Sequence, residues 1–119
     1  MKQTGIIEIK ARPAVRVNYK SKWTKRSRDY FTYMDQIRWL VKVNKPKLFS
    51  GKVKLKLVFG FKGNKRADID NLFKGFTDPC NKLLWEDDKQ IYYTSIEVRE
   101  NAYDYIYYKL EGLEDERRY

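Results

Sequence analysis

Apolar and polar side chains alternate with period two in four stretches of the chain and recur at helical spacing in two others. The clearest strand covers 52–59, where Val53, Leu55, Leu57 and Phe59 alternate with Lys52, Lys54, Lys56 and Val58, one face apolar and the other largely cationic. Residues 5–10 read as a shorter strand, with Ile7 and Ile9 on one side and Glu8 and Lys10 on the other. The spacing predicts a helix over 28–43, capped by Ser27 and carrying Tyr30, Met34, Ile37 and Val41 as its apolar stripe. A second helix is expected over 68–84 from Ile69, Leu72, Phe73, Phe76, Leu83 and Leu84. Gly75 weakens it, and Pro79 kinks or restarts it with Asp78 as the new cap. Residues 91–99 and 102–110 read as a closing hairpin around Glu100 and Asn101. This order predicts one compact α+β domain over 1–110, a mixed sheet with two helices packed on one face, and a charged tail over 111–119.

Composition narrows the chemistry. The 119 residues carry a net charge of +10, distributed unevenly. Residues 1–60 hold 16 basic side chains against 3 acidic, whereas residues 61–119 hold 10 against 13. The first half should attract polyanions and the second holds nearly all the carboxylates. Histidine is absent, which excludes Ser-His-Asp and Cys-His catalysis, histidine metal sites and a histidine general base. A single cysteine, Cys80, excludes an intrachain disulfide or a cysteine-rich zinc site and reads as a small buried hydrophobe. No signal-length or membrane-length apolar run is present, so a cytoplasmic protein with no membrane partner is expected.

The densest chemistry lies at the start of the second predicted helix, in Lys65-Arg66-Ala67-Asp68-Ile69-Asp70-Asn71-Leu72-Phe73-Lys74. Two carboxylates two residues apart at a loop-to-helix junction can converge on a hard cation such as Mg²⁺, which keeps waters and phosphate oxygens in its remaining positions. Asp70, Lys74 and Asp78 would share one helix stripe, with Lys74 placed to meet a phosphate. The same residues also suit a plain helix cap and an Asp70–Lys74 ion pair. Glu86-Asp87-Asp88 form a second acidic group, in a turn. The strand after that turn must run back along the helix if its acids are to meet Asp68 and Asp70. The third feature is cationic. Lys10, Arg12, Arg16, Lys20, Lys22, Lys25, Arg26 and Arg28 are eight basic residues in nineteen, with Tyr19 and Trp23 interleaved and no acid among them. That composition suits phosphate contact and base stacking.

Residues 65–92 resemble the RusA family of Holliday-junction resolvases. The matching positions are Arg66-Ala67-Asp68-Ile69-Asp70-Asn71-Leu72-Phe73-Lys74, then Asp78, then Leu84-Trp85-Glu86-Asp87-Asp88-Lys89-Gln90-Ile91. The resemblance implies an endodeoxyribonuclease that uses Mg²⁺, one or two ions with Mn²⁺ as a substitute, and resolves four-way DNA junctions by paired symmetric nicks as a homodimer. It implies that Asp68, Asp70 and Asp88 bind the metal and that Lys74 is catalytic or contacts phosphate, with Asp78 and Asp87 as secondary candidates. Branched double-stranded DNA would lie along Arg12, Arg16, Lys20, Lys22, Lys25, Arg26, Lys65 and Arg66. With no imidazole in the chain, a carboxylate or solvent must take the proton. Two other readings compete: a non-catalytic basic DNA-binding module, and a different metal nuclease built on Glu8-x-Lys10 or Asp87-x-Lys89.

Overall fold

The computed structural model describes residues 1–16, 20, 23–64 and 67–113. Strand β1 (Lys2–Ile7) is followed by helix α1 (Lys25–Val43), strand β2 (Val53–Lys62), helix α2 (Ile69–Cys80), a 3₁₀ turn (Asp88–Gln90), strand β3 (Ile91–Asn101) and strand β4 (Tyr105–Gly112). The four strands make one mixed sheet in the order β1-β4-β2-β3. This is the α+β fold expected from the sequence, with both helices on one face.

The centre of the sheet goes to β2, whose residues from Leu57 to Phe61 are all buried. So apolar a strand needs a partner on each edge. It pairs antiparallel with β4 and parallel with β3. The hairpin expected between 91–99 and 102–110 is therefore absent, because β2 lies between the two strands. Glu100-Asn101 lacks the glycine of a tight two-residue turn, and the chain instead arches over the end of β2, where Asp104 Oδ1 accepts from the Lys62 N–H at 2.8 Å. Strand β3 is mostly exposed along its length and forms an edge. The first strand also lies earlier than expected, since pairing with β4 covers Lys2 to Ile7.

Helix α1 begins one turn earlier than Ser27 would allow. Thr24 is the cap, accepting from the Ser27 N–H at 3.2 Å, and Ser27 itself is buried. This puts Lys25, Arg26 and Arg28 in the first turn, where cations oppose the helix dipole; a 2.7 Å bond from Lys25 to Asp29 offsets this locally. The buried stripe is Tyr30, Tyr33, Ile37 and Val41, with Tyr33 taking the central place expected of Met34. Helix α2 ends at Cys80 and does not restart after Pro79. A proline so near the end removes only the bond to the Gly75 carbonyl, four residues back. Leu84 reaches the core through a tight turn in which the Leu83 and Leu84 N–H groups both donate to the Cys80 carbonyl.

The core seats odd-numbered residues of β2 and even-numbered residues of β4 against both helices, with Trp85 fully buried at its edge. Residues 8–16 then cross over the helices. The Arg12 N–H donates to Tyr33 Oη at 3.1 Å and the Ala14 N–H to the Asn71 carbonyl at 3.0 Å. The Arg12 carbonyl occupies the space a Cβ at position 75 would need. Gly75 is thus required for the crossing, although it weakens the helix as such.

Two predictions follow from this packing. Gly75→Ala should lower stability by about 1–3 kcal/mol in urea unfolding, because forcing atoms into filled space outweighs the roughly 1 kcal/mol of helix propensity gained. Burial pushes the Tyr33 hydroxyl up to about 12, and burial beside Asp78 pushes Tyr30 up as well. Between the ordinary tyrosine value and about 12 the unfolded chain has lost the Tyr33 proton while the folded chain keeps it. Stability should therefore fall as pH rises through that window, and Tyr33→Phe should flatten the fall in denaturant melts.

Candidate active site

The start of α2 supplies two exposed carboxylates. Asp68 is the residue before the helix, with extended backbone angles of −69° and 150°, yet its side chain makes no capping hydrogen bond. Asp70, in the first turn, pairs with no cation among the described residues. The Asp70–Lys74 pair is not formed; Lys74 Nζ instead lies 3.8 Å from Asp78 Oδ1. Among the described residues neither acid at this helix start has an ion-pair or capping partner.

The cationic segment lies against this same end of α2. Lys10, Arg12 and Arg26 line a cavity of about 360 Å³ together with Ala67 and Leu72, the residues on either side of the two acids. Arg16 is exposed on the same segment, as is Lys20. Lys25 is partly committed to Asp29, whose carboxyl it holds below the usual carboxylate range. Lys22, Lys65 and Arg66 lie outside the described residues.

Asp88 is held elsewhere. Because β3 runs parallel to β2, the crossover through α2 returns the chain to the starting end of β2, where Ile91 pairs with Val53. Strand β3 does run back along the helix, but Asp88 stands before its first residue. It lines a shallow groove with Phe73, Lys74 and Thr77, one helix turn and more from Asp70. Among the described residues no three acidic, histidine or cysteine side chains gather into a metal-binding group. Lys74 stands between the two acidic positions, about 6 Å along the axis from Asp70 and in the groove that Asp88 lines.

The turn carrying Asp88 is built rigidly. Trp85 Nε1 donates to Asp88 Oδ1 at 2.7 Å, leaving Oδ2 outside that bond. Asp87 caps the 3₁₀ turn by accepting from the Lys89 N–H at 2.8 Å, so the structure gives this secondary candidate a structural task. Gln90 accepts from the Glu86 and Asp87 N–H groups and donates to the Phe49 and Gly51 carbonyls, all within 2.8–2.9 Å. The supporting roles of Trp85 and Gln90 were not read from the sequence. A glutamine three residues after an aspartate at a turn is a capping-box spacing and could have signalled the second of them. Asp78, the other secondary candidate, accepts from Tyr30 Oη at 3.2 Å and so links the Lys74 stripe to α1. Tyr30 was read only as core. Cys80 is fully buried and burial pushes its thiol up, which leaves it inert.

Residues 7–110 match the family model of endodeoxyribonuclease RusA. The chain belongs to the RusA endodeoxyribonuclease family, and cleavage of DNA at Holliday junctions is the activity that membership implies. No curated protein matches the chain significantly. Among the described residues, no helix is long and apolar enough to cross a membrane.

The family implies a divalent metal, and the donors present suit one in kind. Asp68 and Asp70 are hard oxygen donors with no partner among the described residues, and Mg²⁺ needs only one or two protein carboxylates beside water and phosphate. Asp88, oriented by a buried indole, has the form of a ligand fixed from behind. Trp85→Phe keeps an aromatic side chain, though a smaller one, and removes the N–H that holds Asp88. The expected result is a fall of about 10–100-fold in divalent-ion affinity or cleavage rate, measured beside a circular dichroism spectrum showing an intact fold.

Proposed function

We propose that this chain is a Mg²⁺-dependent Holliday-junction resolvase that acts in the cytoplasm as a homodimer and nicks two strands of a four-way junction symmetrically. The observation that carries the reading is the seating of the Arg12 segment against the acidic start of α2, which sets cations beside carboxylates that have no partner among the described residues.

In this reading Asp68, Asp70 and Asp88 hold the ion, which when bound supplies Lewis-acid activation of the phosphate and of the attacking water. The protein's own side chains do the rest. Arg12, Arg16, Lys20, Lys25 and Arg26, with Lys22, Lys65 and Arg66 outside the described residues, neutralise the DNA backbone and fix its register. Lys74, exposed between the two acidic positions, meets a non-bridging phosphate oxygen and stabilises charge as it develops. The Asp78–Tyr30 bond keeps that lysine's stripe in place. A carboxylate or solvent receives the proton. One site cuts one strand, and a two-fold dimer supplies the second cut at a distance set by its interface.

A second reading, a DNA-binding module without chemistry, draws on the separation of Asp88 from Asp68 and Asp70. One experiment separates the two. A labelled synthetic four-way junction is incubated with Mg²⁺, Mn²⁺ or EDTA and both nicked strands are mapped. The resolvase reading predicts symmetric nicks that need the ion. Asp70→Asn should lower the rate by about 10²–10³-fold, by analogy with removal of one preorganised transition-state contact, while junction binding in EDTA persists or tightens. Binding without cleavage under every condition would favour the passive module, and loss of cleavage in Glu8→Gln or Lys89→Ala alone would favour a different nuclease centre.

A further inference from the structure

The face of the sheet turned away from the helices is not covered by any described element. Its residues are the even-numbered positions of β1 and β2, the odd-numbered positions of β3 from Tyr93 onward and those of β4, by the observed pairing. They include Lys54, Lys56, Tyr93, Tyr105 and Tyr107. Two shallow depressions lie across this face. One, of about 530 Å³, is lined by Lys56, Val58, Tyr103, Tyr105 and Tyr107 among others, and the second, of about 260 Å³, by Lys54, Lys56, Tyr93 and Lys109.

Both the rings and the charges are arranged in a way that a plain solvent face does not need. The Tyr105 ring lies over Gly60 of the central strand, in space that any side chain there would take. Tyr103 packs against it, with ring centroids 5.8 Å apart, and is 65% exposed. Lys54 Nζ sits 4.8 Å from the centre of the Tyr93 ring, so cation and ring form one patch. The acids on this face are already matched: Glu111 by Lys109 at 3.3 Å and Glu97 by Arg99. Lys54 and Lys56 form no close ion pair among the described residues and act on Glu111 and Glu97 only at longer range, so the face presents a surplus of positive charge.

We propose that this open face is a second nucleic-acid site, which takes single-stranded DNA by stacking unpaired bases on its tyrosines and holding the backbone on Lys54 and Lys56. Outward residues two apart on a strand stand about 6.8 Å from one another, twice the 3.4 Å rise per nucleotide of a duplex strand. Tyr105 and Tyr107 can therefore meet successive bases only of a stretched, unstacked strand. Charge selects among occupants. A second copy docked face to face would bring two faces of like net charge together, whereas a phosphate backbone matches the lysines. Base stacking on aromatics tolerates any sequence, so the site takes unpaired DNA as a class. It lies on the opposite side of the sheet from α2, and its occupancy does not depend on the nuclease reading.

The test uses the full chain in EDTA, with a fluorescein-labelled oligothymidylate followed by anisotropy. Wild-type protein should bind with an affinity that falls as salt rises. Tyr107→Ser should weaken binding by about five- to 100-fold, the range expected for one stacked base, and Tyr107→Phe should bind within twofold of wild type. If the serine variant does not fold, Lys54→Gln/Lys56→Gln at the surface should still lower both the affinity and its salt slope. The assay reads binding in EDTA and needs no cleavage, so failure of the nuclease reading would not alter its outcome. Absence of oligothymidylate binding would overturn the proposal. So would unchanged affinity in both the Tyr107→Ser and the double-lysine variants. Conversion of a dimer to a monomer by Tyr107→Ser with oligothymidylate affinity intact would assign the face to a second copy and equally overturn it.

Discussion

The backbone of residues 8–16 passes over α2 at one point, where the Arg12 carbonyl sits against Gly75. The basic segment and the acidic start of α2 are brought together by that crossing. Flanking hydrogen bonds from the Arg12 N–H to Tyr33 and from the Ala14 N–H to the Asn71 carbonyl hold the segment on both helices at once. A segment that composition alone would leave as a solvated basic loop becomes a fixed wall beside Asp68 and Asp70. A side chain at position 75 would lift the wall, and the cations would move away from the acids they serve.

This arrangement resolves an apparent conflict in the charge pattern. The two halves of the chain have opposite net charge, and simple attraction would have them neutralise each other. Instead the acids at the start of α2 have no described cationic partner while the Arg12 segment stands alongside. Carboxylates without a described cationic partner beside a basic segment would repel DNA unless a cation joined them, which is why the proposed function couples DNA to a divalent ion. The lower end of the groove is organised differently. Asp88 is oriented by Trp85, and its turn is tied by Gln90 to the residues leading into β2. These are buried or fully bonded contacts, so the position of Asp88 is set by the core.

Much of this was legible in the sequence because it is local. The period-two run at 53–59 marks the central strand, the helical spacing of Tyr30, Ile37 and Val41 marks α1, and Asp68-x-Asp70 stands at a helix start. What the sequence hid is non-local. Residues 91–99 and 102–110 look like hairpin partners because they are neighbours in the chain, yet β2 takes the place between them since its apolar run needs a partner on each edge. The position of Asp88 depends on the same fact, as the parallel crossover returns it beside Phe73, Lys74 and Thr77 of α2 and not beside Asp68. Gly75 reads as a helix flaw until the backbone that crosses it is known. Gln90 reads as an ordinary polar residue until its four hydrogen bonds are traced.

The central claim is that Asp68, Asp70 and Asp88, beside the cationic segment, take a divalent ion when DNA is bound. Paramagnetic line broadening by Mn²⁺ tests it most directly, on isotopically labelled protein held with a non-cleavable four-way junction. Selective loss of the backbone amide signals of residues 68–70 and 88, reversed by excess Mg²⁺, is the result the account predicts. Uniform broadening along the chain, or broadening confined to acids outside this groove such as Glu97 and Glu100, would contradict it.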